Sequence, residues 1–537
     1  MKRKIFVGTA TVVLSFFLFA GRPAGPPQAT TSDPDLSLRT FTQILSLVES
    51  NYVDEIPSRD LVYGAIRGML GRLDPHSSFL DPKTYREMQE EQRGSFSGLG
   101  IVISIKGEEK ELTVISPIEG TPADRAGIRA GDVISHIEGK PTSGITIDEA
   151  LEKLRGPRGT RVNITISREG VNEPLEYSLV RDDIPTASIP YAFMLRPGVG
   201  YIRIKNFTQT TDSELAEKIG MLQDQGMTKL LLDLRWNPGG LLDQAVKVAD
   251  RFLKPHELIV YTKGRVRDAY QEFRSSDRAG VHEMPLIVLV NKGSASASEI
   301  VAGAIQDHDR GLVVGETTWG KGLVQTVFRL SHSSGLALTT AKYYTPSGRL
   351  IQRDYKESLD DYYAGRNDVA AEKRETRYTD SGRKVLGGGG IAPDVEISLD
   401  EATPFEEALG RRTAFFDYAV HYVAEHKTAT RDFRPDDAVL QDFRDFIAKK
   451  KVKYTEKEWE ESREYIASVI RAEVLGAVFG QEERQKAISE RDVQIQKALE
   501  IFPAAEKIPI VTVDLKTSSK EAAAEPKRAE APDRERN

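Results

Sequence analysis

The sequence predicts an α/β protein, and three observations predict it. Between residues 198 and 400 apolar stretches alternate with helical ones: "GVGYIRIKNF", "SELAEKIGMLQDQG", "TKLLLDLRWN", "QAVKVADRFL", "LIVLVN" and "ASEIVAGAIQDHD". That order suits a sheet covered on both faces. Two of the strands run directly into turns of small residues, N-P-G-G at 237–240 and S-A-S-A-S at 294–298. The chain, at 537 residues, is also too long for one core, and its composition changes on both sides of this body.

Taken in order, "MKRK" is followed by the apolar run 5–20. A basic start and an apolar stretch read as a signal peptide or signal anchor over 1–20. The run falls short of the ~20 residues that span a bilayer, and no A-x-A site closes it. The expected location is extracytoplasmic or periplasmic, with a membrane tether if the leader is retained. Residues 21–36 form a Pro/Gly/Thr linker, expected to be disordered. Residues 37–94 predict a helical arm, with Leu38, Phe41, Ile44, Leu45 and Val48 on one face. That stripe needs a partner, either the body or another subunit. Residues 403–510 are again helical and charged, and 511–537 are a disordered tail by composition. The hydrophilic insert 354–384 predicts a mobile loop within the body, which spans 184–402.

Residues 95–183 change character, with short alternating strands, a short helix at Pro122–Ala126 and an amphipathic helix at Ile147–Leu154. The stretches "SGLGI", "SPIEGTPADRAGIRAGDVISHIEGK" and "TIDEALEKLRG" resemble a PDZ domain in circularly permuted order. Such domains bind a peptide by adding it as a strand to a sheet edge. The resemblance puts Gly98, Leu99, Gly100 and Ile101 in the carboxylate-binding loop. Ile101 and Ile103 would line the apolar pocket, facing Ala150 or Leu154.

The small-residue turns carry the chemistry. After "LLLDLRW", Gly239 and Gly240 at a strand-to-helix turn leave backbone N–H groups free to face an oxyanion. After "VLVNKG", a single serine would be explained as a helix N-cap, but three serines exceed one cap. Ser296 is the central one. The Ala297 N–H would lie beside its hydroxyl and share an oxyanion with Gly239 or Gly240. A serine hydroxyl needs a base. His308 lies about 18 Å along the helix axis from Ser296, out of reach, and reads instead as a charge at a helix C-terminus. Lys321, flanked by glycines in an otherwise apolar strand start, is the better candidate, because burial lowers an amine's pKa and leaves it neutral. Gln325 lies on the same face and could orient the amine. Contact between them needs a folded-back lysine or a bulge at Gly320 or Gly322.

Together, "NKGSASASEIVAGAIQDHDRGLVVGETTWGKGLVQ", "LLLDLRWNPGG", "LTTAKYYTPSGRLIQ" and "LDPHSSFLDP" resemble the C-terminal processing peptidases, or tail-specific proteases, over residues 38–400. The resemblance implies a crotonase-like core of ββα repeats with an inserted PDZ domain. It implies an endopeptidase acting near the C-termini of tail-exposed proteins, with Ser296 as nucleophile, Lys321 as general base and Gln325 as its companion. The oxyanion donors map to Ala297 and to either Gly239 or Gly240. It implies protein substrates, a homo-oligomer and room for an adaptor protein.

Composition narrows the rest. The absence of cysteine removes disulfides and thiolate chemistry, and a net charge of −7 argues against a nucleic-acid surface. No Walker motif or HExxH is present, so neither metal nor other cofactor is expected. The rival reading is a catalytically silent PDZ scaffold of the cell envelope.

Overall fold

The alternation over 198–400 becomes a six-stranded sheet, ordered Tyr191–Arg196, Val199–Arg203, Lys229–Asp233, Leu286–Val290, Leu312–Gly315 and Val395–Glu396. Its first pair is antiparallel and every later pair parallel. The structure is a computed structural model that describes residues 34–507, except 108–109, 279, 282, 357, 366–373, 400 and 427–428, together with the short strand Phe16–Phe17. Apart from that strand, the expected leader lies outside the described residues, as do the tail and most of the linker. Among the described residues no helix is long and apolar enough to cross a membrane.

Side chains alternate along each parallel strand, so each strand feeds two cores. Ile202, Leu230, Leu232 and Val288 pack on the helices Thr211–Asp224, Leu242–Asp250 and Ala297–Asp307. Leu231, Ile287, Leu289 and Val314 pack on Ile495, Ala498 and Phe502 of the helix Val493–Ala505. The charged C-terminal region therefore supplies the back cover of the sheet. Arg235 fastens it there, pairing with Asp233 at 2.7 Å and Asp492 at 2.8 Å and donating to Gln494 Oε1 at 2.9 Å. Helices from Pro404–Arg411 to Glu456–Phe479 close a separate core around Phe415, Phe443 and Trp459.

A second, mainly antiparallel sheet carries the lysine segment. Its strand Leu323–Arg329 pairs with Gly335–Tyr344, which in turn pairs with Leu258–Gly264. The arm is stitched into this sheet, because Ser78–Leu80 pairs antiparallel with residues 335–337. Phe16–Phe17 lies parallel to Gln325 and Thr326. The arm's apolar stripe stays largely uncovered within the chain: Leu38, Phe41 and Ile44 are 64%, 41% and 55% exposed, and Leu45 and Val48 half-buried.

Residues 95–183 enter and leave at one point, where Ser95–Gly98 pairs antiparallel with Asp182–Pro185. The strand Ile101–Lys106 is an edge of the PDZ sheet, paired with Glu111–Pro117, and lies near the helix Ile147–Leu154. Gly100 has φ +78°, and a Cβ there would come within 2.3 Å of Thr121, so the loop requires glycine. The Leu99 side chain lies in the domain core with Ala123, Ala150 and Leu154, while Ile101 and Ile103 pack half-buried against it.

The hydrophilic insert departs from the expected mobile loop. It contains the helix Leu359–Tyr363 and a hairpin of Thr376–Tyr378 with Lys384–Leu386. Its tyrosines explain the difference. Tyr362 is fully buried, and its ring meets those of His76 and Trp319 edge-on.

Candidate active site

The helix Ala297–Asp307 is buried at every residue, so it is a core helix rather than the amphipathic one its pattern suggests. The outer two serines before and within it are structural. Ser294 Oγ donates to the Leu234 carbonyl at 2.7 Å and accepts from the Asn291 N–H at 3.0 Å. Ser298 Oγ donates to the Asn237 carbonyl at 2.9 Å. Ser296 sits between them at φ +56°, ψ −110°, a conformation that costs an L-residue energy and persists only where surrounding structure imposes it. It borders a small pocket lined chiefly by Gly240, Leu242, Ile300, Leu323, Val324 and Tyr343.

The N-P-G-G turn is bolted to the same place. Asn237 accepts the Ala295 N–H on its carbonyl at 2.9 Å, donates from Nδ2 to Ile204 at 2.9 Å and accepts the Gly239 N–H on Oδ1 at 2.9 Å. A Cβ on Gly239 would lie 2.8 Å from Ser296 Cβ and 3.0 Å from the Ala297 nitrogen. One on Gly240 would lie 2.1 Å from the Phe207 carbonyl oxygen. The close approach of the two turns therefore depends on Gly239, while Gly240 is needed where the turn passes Phe207.

Lys321 is 3% exposed. Burial pushes its amine down to about 8, against the opposing pull of Glu299 and Asp74. Among the described residues its Nζ has no hydrogen-bond partner, and the same holds for Gln325 Oε1. Lys321 Nζ and Gln325 Oε1 are thus not bonded to each other. The irregularity that the spacing demands lies elsewhere than at Gly320 or Gly322 alone. Gly320 has φ +90°, but the strand register slips between Val324, opposite Ala341, and Gln325, opposite Thr339, leaving Thr340 as the extra residue.

Residues that the motif reading passes over complete the site. Glu299 is fully buried, and its carboxylate accepts from Ser296 N at 2.7 Å, Lys321 N at 2.9 Å, Gly320 N at 2.6 Å and Thr318 Oγ1 at 2.6 Å. Burial pushes its pKa up to about 7, although these hydrogen bonds pull it down. The Tyr343 hydroxyl reaches the carbonyls of Ser296 at 3.1 Å and Lys321 at 2.5 Å. His76, read as an arm residue, is buried with its Nε2 2.7 Å from the Tyr362 hydroxyl. Burial and then the Lys321 charge lower it to about 3, so its ring is neutral. His308 caps the helix C-terminus as expected, contacting Asp380 and the Leu258 carbonyl. The Glu299 signal was available as the S-x-x-E spacing of a capping box. Nothing local marked His76.

Comparison with known proteins identifies the domains. Residues 198–358 match "Peptidase family S41", 113–168 "PDZ domain", 405–462 "Probable PDZ-protease, C-terminal helical domain", and 25–84 "Activating protease CtpB N-terminal domain". The chain is 43% identical over 424 residues to the carboxy-terminal-processing protease of Bartonella bacilliformis, covering 75% of this chain and 95% of that protein. It is 41% identical to the carboxyl-terminal-processing protease of Synechocystis, covering 57% and 72% of the two chains. The carboxy-terminal processing protease CtpA of Bacillus subtilis is 34% identical, covering 66% and 76%. A mixed α/β peptidase core with a PDZ domain and a helical C-terminal domain, matched across nearly the whole length of such a relative, is decisive: the chain belongs to the C-terminal processing serine proteases of peptidase family S41.

Proposed function

We propose that the chain cleaves protein substrates with a Ser296–Lys321 dyad, after its PDZ domain has captured the substrate's C-terminal tail. The observation that carries this reading is the buried, unpartnered Lys321 amine, whose backbone shares a carboxylate with that of Ser296. The tail adds to the Ile101–Lys106 edge, with Gly98, Leu99 and Gly100 forming the loop at its carboxylate and Ile101 and Ile103 facing its side chains. Ser296 Oγ then attacks a peptide carbonyl as neutral Lys321 takes its proton. The Ala297 N–H and a glycine N–H of the 237–240 turn receive the oxyanion. Gly240 is favoured over Gly239, whose N–H already donates to Asn237. The Lys321 ammonium protonates the leaving amine, and the neutral amine next activates water to release the acyl group. Gln325 steadies the amine through its side-chain oxygen.

The finer assignments belong to the same reading. The ββα connections would be those of a crotonase-like core. The uncovered arm stripe suits a homo-oligomer, and the leader suits an envelope location with a tether to the inner membrane. Activity could answer to an adaptor.

The test is degradation of one unfolded substrate by the parent and by Ser296→Ala, with its tail free or blocked. The reading expects no cleavage by the variant and slower cleavage of the blocked substrate by the parent. A Ser296→Ala variant as fast as the parent overturns the nucleophile, and equal rates on the two substrates overturn the PDZ role.

A further inference from the structure

We propose that Asp74 and Thr339 are positioning residues that set the orientation of the Gln325 amide, so that its oxygen rather than its nitrogen faces Lys321. The proposal rests on the Ser–Lys reading above and extends it to the N-terminal arm.

The argument follows hydrogen atoms. Asp74 lies in the turn between the helix Ser58–Leu70 and the strand Ser78–Leu80. Its carboxylate accepts from the N–H groups of His76 and Ser77, each at 2.8 Å, from Ser77 Oγ at 2.7 Å and from Thr339 Oγ1 at 3.1 Å. A group used as acceptor by four donors leaves the threonine hydroxyl as the donor in their bond. A hydroxyl has one proton. With that proton directed at Asp74, the oxygen of Thr339 is left to accept, and Gln325 Nε2 donates to it at 3.1 Å. The amide nitrogen is thereby fixed toward Thr339.

Gln325 is fully buried, and its Oε1 has no partner among the described residues. Lys321 Nζ, a group with donors and no acceptor when charged, is buried and unpartnered too. The two orphan atoms are complementary only in the orientation that Thr339 imposes. A flipped amide would present N–H groups to an ammonium.

Sheet pairing brings these residues together. Ser78 lies opposite Ala337 in the register, which carries Ser77 beside Thr339, whose N–H donates to Ser77 Oγ at 3.1 Å. The register slip at Gln325 places that residue opposite Thr339. The arm therefore supplies an acceptor to the far side of the catalytic strand pair.

The charged groups bearing on the Lys321 amine are Glu299 from the buried helix and Asp74 from the arm turn, with the His76 ring from the same turn also within electrostatic reach. Asp74 is one of two charges that favour the protonated amine. Its removal therefore has a signature beyond lost positioning, an acid limb of the pH profile displaced to lower pH.

The experiment measures kcat, KM and pH dependence on a short peptide, together with unfolding midpoints. The variants are Thr339→Val, Thr339→Ser and Asp74→Ala, the first and last also in a Gln325→Ala background, with Ser296→Ala and Lys321→Ala alongside. Thr339→Val is expected to lower kcat roughly tenfold or more with KM little changed, as loss of an orienting partner does. Thr339→Ser recovers most of that loss. In the Gln325→Ala background Thr339→Val costs nothing further, because both changes remove one coupled unit. Should Thr339→Val fold poorly, Asp74→Ala, which removes the Oδ1 that accepts from Thr339, carries the same comparison. Equal losses with and without Gln325, or a serine variant as poor as valine, overturn the relay. Activity retained by Ser296→Ala or Lys321→Ala overturns the dyad instead.

Discussion

Ser296 and Lys321 are joined through a single oxygen: Glu299 Oε2 accepts both of their backbone N–H groups, at 2.7 Å and 2.9 Å. The carboxylate makes the separation of Ser296 and Lys321 a property of one side chain. Glu299→Gln would turn an amide N–H toward at least one of four donors. It is expected to lower kcat by about a hundredfold or more and to destabilise by on the order of 2–4 kcal/mol, the cost of leaving buried donors unpaired. Turnover and denaturant unfolding check both figures. Unchanged stability would show that the three backbone donors find other partners.

Burial lowers Lys321 to about 8, and in the proposed dyad the free amine is the active form. The rate constant kcat/KM should therefore rise with pH through about 8 and level off above it, falling about tenfold per unit on the acid side. A profile already flat at pH 6 would remove Lys321 as the base.

The same shift has a stability consequence of opposite value to the protein. The lysine is more acidic folded than unfolded, so between about 8 and its ordinary 10.5 the unfolded chain holds more protons and stability rises with pH. Lys321→Met should thus raise the unfolding midpoint most below pH 8, and the advantage should shrink toward pH 10.5. An inactive, more stable variant is the expected result of calorimetry at pH 7 and pH 10.

The pocket beside Ser296 is narrow and apolar, bordered by Leu242, Ile300, Leu323 and Val324. A small apolar side chain on the acyl side of the scissile bond should be preferred. An aspartate there has no partner in the pocket, and kcat/KM for such a peptide should fall by roughly a hundredfold or more. Peptides differing at that one position make the comparison.

Gly100→Ala should disable the PDZ loop without touching the peptidase chemistry. The substitution combines φ +78° with a 2.3 Å approach to Thr121. Tail-dependent degradation is expected to fall while cleavage of a short peptide without a tail persists, read by running both substrates side by side. Equal losses on the two would mean that the PDZ domain also supports the active site.

What could be read ahead of the structure follows physical range. The strand-turn-helix order around Ser296, Gly239 and Gly240 is local, written in apolar runs ended by small residues, and the structure has it. Ser296 and Lys321 stood out because a serine cluster and a glycine-flanked lysine are unusual in apolar surroundings. The slip at Thr340, opposite Val324 and Gln325, could not be read beside the alternatives of a folded-back lysine or a bulge at Gly320 or Gly322, because register depends on the partner strand. His76 and Asp74 were invisible as site residues, since only the pairing of Ser78–Leu80 with residues 335–337 carries them there. The insert at 354–384 looked solvated because its polar majority outweighs four tyrosines, of which Tyr362 ends fully buried.

The helix Val493–Ala505 has a temporal consequence. During synthesis every residue of the sheet strands emerges well before Ile495, Ala498 and Phe502, which among the described residues are the helical cover over Leu231, Ile287 and Leu289. A nascent peptidase would carry its nucleophile and base on a half-dressed scaffold, unable to settle until its last helix arrived.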